Sequence, residues 1–185
     1  MYDTTDISKG LMVEIDGYPY TVTDFQFVNP GKGSAFTRCR FKNLLTGAVL
    51  ERTYKSGEKL QEANVEERSM EYIYYNGECY AFMDNASYEQ IEIPAKKVGD
   101  DAGFMKEGTT VKVLFYNGEA VSITLPTFVE VEVSETIVAD KGNTVTTSFK
   151  PATLATGGTV QVPMFVKTGD VLKIDTRDKS YVERV

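Results

Sequence analysis

The sequence predicts an all-β fold of three small barrels. Three observations carry this expectation. Apolar and polar residues alternate with period 2 along much of the chain, turn signals recur at short spacing, and helical patterning is scarce. The 185 residues are 42% hydrophobic and 25% charged. That is an ordinary globular content, and the length allows three small domains as readily as one or two average ones.

The elements follow in chain order. Residues 12–15 and 18–22 flank Asp16-Gly17, which suits a tight type I′ hairpin because both central residues need positive φ. Residues 25–28 lead into Asn29-Pro30-Gly31-Lys32-Gly33-Ser34. A strand follows over 35–43, Leu44-Leu45-Thr46-Gly47 turns it back, and 49–54 pairs with it. Within 35–43, Thr37, Cys39 and Phe41 fall on one side, and Arg38, Arg40 and Lys42 on the other. The three cations serve either solubility and edge protection or contact with phosphate.

The apolar pattern lapses across 61–68, which places a domain boundary there. The next third holds two similar units, 72–82 and 111–123, centred on Tyr75-Asn76-Gly77-Glu78 and Tyr116-Asn117-Gly118-Glu119. Asn-Gly between apolar runs is a strong hairpin signal. A short helix is expected within 94–106, and two hairpins with a capping helix suit a five-stranded barrel. Tyr72, Tyr74, Tyr75, Tyr80, Phe82, Phe115 and Tyr116 form either barrel core or a platform on which bases stack. The last third opens near Pro126, where Val129, Val131 and Val133 alternate with Glu130, Glu132 and Ser134. A polar loop spans 140–148. Strands are expected at 159–163, 170–175 and 181–185, separated by Gly157-Gly158 and 176–179. The predicted domains are therefore 1–64, 65–127 and 128–185.

Composition excludes several chemistries. The chain contains no histidine and two cysteines. Cys39 and Cys79 form no C-x-x-C pair, which removes most zinc sites, the serine and cysteine triads, and histidine acid/base catalysis. Two reduced thiols within strands are expected, with no cofactor, no metal and no enzymatic activity. The first residues lack the basic start and apolar run of a signal peptide, and no apolar run is long enough to span a bilayer, so a cytoplasmic protein is expected.

The net charge is −7, but its distribution is uneven. Residues 1–64 carry eight basic and eight acidic side chains, whereas 65–128 carry five basic and eleven acidic. The stretch 26–59 holds Lys32, Arg38, Arg40, Lys42, Arg52, Lys55 and Lys59 against Glu51 and Glu58. Local positive potential, rather than the total, draws phosphate. The acidic middle third is either a solvated face or a device that keeps the protein off nonspecific nucleic acid.

The loop 29–34 lacks the spacing and following helix of a phosphate-binding P-loop. It reads as a stiff hairpin tip. Pro30 fixes one φ, and Gly31 and Gly33 are expected to permit turns closed to other residues. Neither glycine has a side chain to cover Lys32, so the ammonium projects freely.

Phe27-Val28-Asn29-Pro30-Gly31-Lys32-Gly33-Ser34-Ala35-Phe36-Thr37-Arg38 and Asn43-Leu44-Leu45-Thr46-Gly47 resemble the first domain of the bacterial elongation factor P family. So do Pro126-Thr127-Phe128-Val129-Glu130-Val131-Glu132-Val133, residues 150–157 and 162–166, and the closing segment from Gly169 through Tyr181 and Arg184 to Val185. The resemblance runs through the whole chain and keeps the order of its motifs. It implies a KOW-type, SH3-like barrel followed by two OB-fold barrels in an elongated, tRNA-like arrangement. It implies a monomer that binds the ribosome between the exit and peptidyl sites, beside peptidyl-tRNA, and relieves stalling at consecutive prolines.

The family's tip residue falls on Lys32. In lysine-type members it usually receives a β-lysyl group from an enzyme resembling lysyl-tRNA synthetase; other members carry different lysine modifications or a glycosylated arginine, and Lys32 excludes the last. Gly142 and Thr144 match the family's third-domain loop near the exit-site codon. Asn143 stands where an acid is common, and Thr147 and Ser148 replace the usual glycines. Tyr181 and Arg184 match the C-terminal pattern, either as contacts to the small subunit or tRNA or as a final-strand aromatic and a surface cation. The alternatives are an elongation factor P-like paralogue or a generic OB-fold RNA-binding protein without a role at the peptidyl transferase centre.

Overall fold

The alternation written into the sequence becomes three antiparallel sheets in the computed structural model, which describes residues 1–138 and 149–185. The first sheet contains β1 (Tyr2–Asp3), β2 (Met12–Ile15), β3 (Tyr18–Val28), β4 (Phe36–Asn43), β5 (Val49–Lys55) and β6 (Lys59–Glu62), in the order β1-β6-β2-β3-β4-β5. Asp16 and Gly17 have φ of 53° and 80°, the positive pair that a type I′ turn requires. The expected strand segments 18–22 and 25–28 are one strand. A bulge between Val22 and Asp24 bends it without ending it.

Phe41 is fully buried at the centre of this sheet, with Val13, Ile15, Val22, Cys39 and Leu60 around it. Full burial of a side chain of that size contributes about 1.5–3 kcal/mol. Tyr20 and Tyr54 meet its ring edge-to-face, with centroids 6.4 and 6.1 Å away.

The second sheet contains β7 (Val65–Tyr75), β8 (Cys79–Asp84), β9 (Gln90–Pro94), β10 (Thr110–Tyr116) and β11 (Glu119–Thr124), in the order β11-β10-β7-β8-β9. The lapse of pattern over 61–68 covers the passage from the first sheet to the second. Strand β6 runs to Glu62 and β7 begins at Val65. Exposed Gln61, Glu62, Glu66 and Glu67 hide the alternation there. The expected helix is α1 (Ala95–Val98), continued by a 3₁₀ turn over Gly99–Phe104.

The repeated tetrapeptide makes two different turns. Asn117 and Gly118 have φ of 49° and 83° and close β10 on β11 in two residues. In the first copy only Gly77 is left-handed, at 101°. There the Asn76 side-chain oxygen accepts from the amides of Glu78 and Cys79 at 3.0 and 2.8 Å, and Tyr75 pairs with Tyr80 across a longer loop.

The third sheet contains β12 (Phe128–Thr136), β13 (Phe149–Leu154), β14 (Thr159–Pro163), β15 (Val171–Asp175) and β16 (Ser180–Arg184), in the order β14-β13-β12-β15-β16. Its outer strands β14 and β16 approach each other, which curls the sheet toward a barrel. Val129, Val131 and Val133 point inward while Glu130, Glu132 and Ser134 face solvent. Strand β13, which contains Pro151, was not among the expected strands. The expected loop 140–148 lies outside the described residues.

The chain divides into two compact units. One comprises Met1–Glu67 with Leu114–Ser122, and the other comprises Arg68–Val113 with Ile123–Val185. In the first, the Tyr116 hydroxyl donates to Glu14 Oε2 at 2.8 Å. In the second, the 3₁₀ turn meets the β13–β14 loop. The Gly158 amide donates to the Gly103 carbonyl at 3.0 Å, Thr156 Oγ1 donates to the same oxygen at 2.5 Å, and Lys179 pairs with Asp101 at 3.5 Å. No described helix is long and apolar enough to cross a membrane.

Candidate functional site

The longest hairpin arms of the first sheet carry the lysine loop. Strands β3 and β4 pair continuously apart from the bulge, and the register closes at Val28 opposite Phe36. Residues 29–35 therefore project from a well-paired ladder. The Ser56 amide donates to the Ala35 carbonyl at 3.1 Å, fixing the return of the loop onto the end of β5.

At the tip, Gly31, Lys32, Gly33 and Ser34 are exposed and Pro30 is half-buried. Gly33 has φ of 122°, and a Cβ on it would lie 3.7 Å from Cγ of Pro30. That is ordinary contact distance, so it is the left-handed backbone rather than crowding that favours glycine here. Gly31 does not use the left-handed region, which corrects the expectation that both glycines do. Lys32 makes no hydrogen bond or ion pair with any described residue.

The cationic stripe on β4 is exposed as expected, while Thr37, Cys39 and Phe41 are buried. Its three members differ in their neighbours. Arg40 sits opposite Asp24 on β3 and Glu51 on β5. It donates to Glu51 Oε1 through Nε at 2.9 Å and Nη2 at 2.6 Å, and this pairing raises its pKa further. Asp24 in turn pairs with Lys9 at 3.0 Å, and that contact holds its carboxyl below the usual range. Arg38 faces Gln26 and Thr53, and Lys42 faces Thr21 and Val49; neither has an ion-pair partner among the described residues. Of the predicted contact cations here, Lys32, Arg38 and Lys42 are therefore available, and Arg40 is already engaged. The turn at 44–47 fixes this register, so the Arg40–Glu51 pairing was accessible by counting back from Lys42 opposite Val49.

The other predicted residues divide. Tyr181 is half-buried on β16 opposite Ile174 and borders a recess of about 560 Å³ with Phe149 and Lys179. Arg184 is tied down, 3.5 Å from Asp170 and over the Phe165 ring at 5.4 Å. Gly142 and Thr144 lie outside the described residues. Of the aromatics in the middle third, Tyr72, Phe82 and Phe115 are core, whereas Tyr74 and Tyr75 are exposed. Cys39 and Cys79 are both free thiols in strands.

Residues 3–60 match the elongation factor P (EF-P) KOW-like domain, 65–123 the elongation factor P (EF-P) OB domain, and 129–184 the elongation factor P C-terminal region. Elongation factor P of Desulfosudis oleivorans is 49% identical over 185 residues, covering 100% of this chain and 99% of that protein. Elongation factor P of Caldanaerobacter subterraneus is 51% identical over 180 residues, covering 97% of each. Among solved structures, eukaryotic translation initiation factor 5A from Methanococcus jannaschii aligns with a TM-score of 0.55 at 21% identity, over 68% of this chain and 90% of that one; this is a likeness of fold. Matched along its whole length, from the lysine loop to the C-terminal strands, the chain belongs to the elongation factor P family of translation elongation factors.

Proposed function

We propose that this chain binds the ribosome between the exit and peptidyl sites and that Lys32 contacts the 3′ end of peptidyl-tRNA, stimulating peptide-bond formation where consecutive prolines stall synthesis. The observation that carries this reading is Lys32 itself, an exposed cation without a partner among the described residues, at the tip of a braced hairpin. Family membership supplies the context. Arg38 and Lys42 extend the available positive charge along β4 and suit the RNA backbone.

The physical route is positional. Proline is a poor nucleophile with a fixed φ, and a proline-rich peptide holds the tRNA end badly placed. A long cation on a stiff tip orders that end and lowers the entropic part of the barrier. The reacting groups belong to the RNA-bound substrates, so the protein acts as an accessory with no cofactor of its own. Aminoacylation of Nζ by an enzyme resembling lysyl-tRNA synthetase lengthens the reach of Lys32 and adds a second amine. The same reading takes the chain as a cytoplasmic monomer of three modules.

A photoreactive phenylalanine analogue at Ser34 tests the placement. On ribosomes stalled at consecutive prolines it is expected to cross-link the terminal nucleotides of peptidyl-tRNA. Cross-links to free single-stranded RNA, with none on stalled ribosomes, would instead favour a generic RNA-binding role and overturn the reading.

A further inference from the structure

Within the second compact unit, a recess of about 470 Å³ opens between the aromatic edge of the β7–β8 hairpin and the strands of the third sheet. Its size is that of a ligand site rather than a packing gap. One wall is made of tyrosine. Tyr75 and Tyr80 stack with centroids 4.4 Å apart and planes 26° from parallel, and Tyr72 lies 5.7 Å from Tyr80. The Tyr75 hydroxyl donates to the Gly77 carbonyl at 2.6 Å, so the outer ring is held in place before anything binds. Met105 and Val131, both buried, form an apolar floor.

The rim is charged. Glu132 lines the recess from β12 and Glu107 from the turn that precedes β10, with Lys106 next to it in the chain. Neither carboxylate has an ion-pair partner among the described residues. The chemistry therefore selects its occupant. Phosphate is repelled by the carboxylates and by the acidic surplus of 65–128. A purely apolar group leaves both carboxylates unanswered. A planar cation on an apolar stem meets every part of the wall: it stacks on tyrosine, it is weakly hydrated and tolerates partial burial, and it forks onto carboxylates.

We infer that this tyrosine-walled recess is a receptor for an arginine side chain presented by a basic protein partner. The site is separate from the lysine loop and does not depend on what Lys32 does. Charge complementarity commits it to a cationic protein segment rather than to nucleic acid.

The test uses the full chain in solution, without ribosomes. A short glycine–serine peptide carrying one arginine, and its twin carrying the neutral isostere citrulline, are titrated while amide chemical shifts are recorded. The arginine peptide is expected to give saturable shifts confined to Tyr75, Tyr80, Val131 and their neighbours, and the citrulline twin to give none. Glu107→Gln with Glu132→Gln should weaken binding about fivefold, and Lys106→Gln should tighten it about twofold. Both sets of positions are exposed, so unchanged shifts elsewhere report an intact fold. Equal binding of the citrulline twin, no localised shifts with either peptide, or shifts produced by a single-stranded oligoribonucleotide in their place would overturn the assignment.

Discussion

Gly103 and Gly158 touch backbone to backbone, and neither has room for a side chain. A Cβ on Gly158 would lie 2.4 Å from the Gly103 carbonyl oxygen, and one on Gly103 would lie 2.8 Å from Gly158 Cα. This contact joins the 3₁₀ turn of the middle third to the β13–β14 loop inside one compact unit, and the Thr156 bond to the Gly103 carbonyl reinforces it. Gly158→Ala must push two stretches of backbone apart, at a cost of about 1–3 kcal/mol. A clear drop in denaturation midpoint is expected. Gly31→Ala, with nothing within 4 Å of the added carbon, is expected to change stability by no more than about 0.5 kcal/mol. Equal effects of the two substitutions would contradict the close packing.

The two thiols should differ in reactivity. Burial pushes Cys39 up to about 11, while Cys79 is only half-buried. The thiolate is the reactive form, so iodoacetamide at mildly alkaline pH should label Cys79 and spare Cys39 until the protein unfolds. The linkage has a definite sign. A pKa raised on folding gives stability that is complete below the unfolded value of about 8.5 and fades as pH climbs toward the folded value. Rapid labelling of Cys39 in the native protein would refute its placement in the core.

Acid should act through another set of groups. The Asp84 carboxyl is held below its ordinary value because the amides of Ser87 and Ala86 donate to it at 3.0 and 2.7 Å. Asp175 is lowered by Arg177, and Asp170 by the Lys167 amide with help from Arg184. Groups of this kind stabilise the fold above the unfolded value of about 3.9 and lose that contribution as pH falls through their lowered folded values. Thermal midpoints measured from pH 6 downward should therefore drop below about pH 4. Asp84→Ala should be less stable at neutral pH and show a shallower acid decline. An unchanged slope would show that the turn 84–89 does not depend on the carboxylate.

Much of the fold was legible because its signals are local. Asp16-Gly17 and Asn117-Gly118 specify their turns within two residues, and the alternation in 37–42 and 129–134 specifies which side is buried. What stayed hidden depends on partners distant in sequence. Strand β6 ends and strand β7 begins within 61–68 although exposed acids break the pattern there, because pairing with other strands, not local patterning, sets them. Tyr75-Asn76-Gly77-Glu78 forms a longer loop than its twin because the Asn76 side chain caps the Glu78 and Cys79 amides. At the candidate site the exposure of Lys32 followed from its glycine neighbours. The neutralisation of Arg40 required the register that sets it between Asp24 and Glu51.

That register gives a graded prediction for the β4 cations. Arg38→Ala and Lys42→Ala should each weaken ribosome binding and reduce its dependence on salt concentration, because each removes a cation available to phosphate. Arg40→Ala should do less, since its guanidinium is already bonded to Glu51, and Glu51→Gln should strengthen binding by releasing it. Binding measured over a salt series checks the order; an effect of Arg40→Ala larger than that of Arg38→Ala would reverse it.

The role given to the tip is tested most directly by the rate of a single peptide bond between two prolines, measured on purified ribosomes with the natively produced protein and its Lys32→Ala variant. The variant should fold and melt as the parent does, because Lys32 is exposed and makes no hydrogen bond or ion pair with any described residue, yet it should leave the proline–proline step as slow as without the protein. If the variant accelerates that step as well as the parent, Lys32 is not the acting group and the proposed function is wrong.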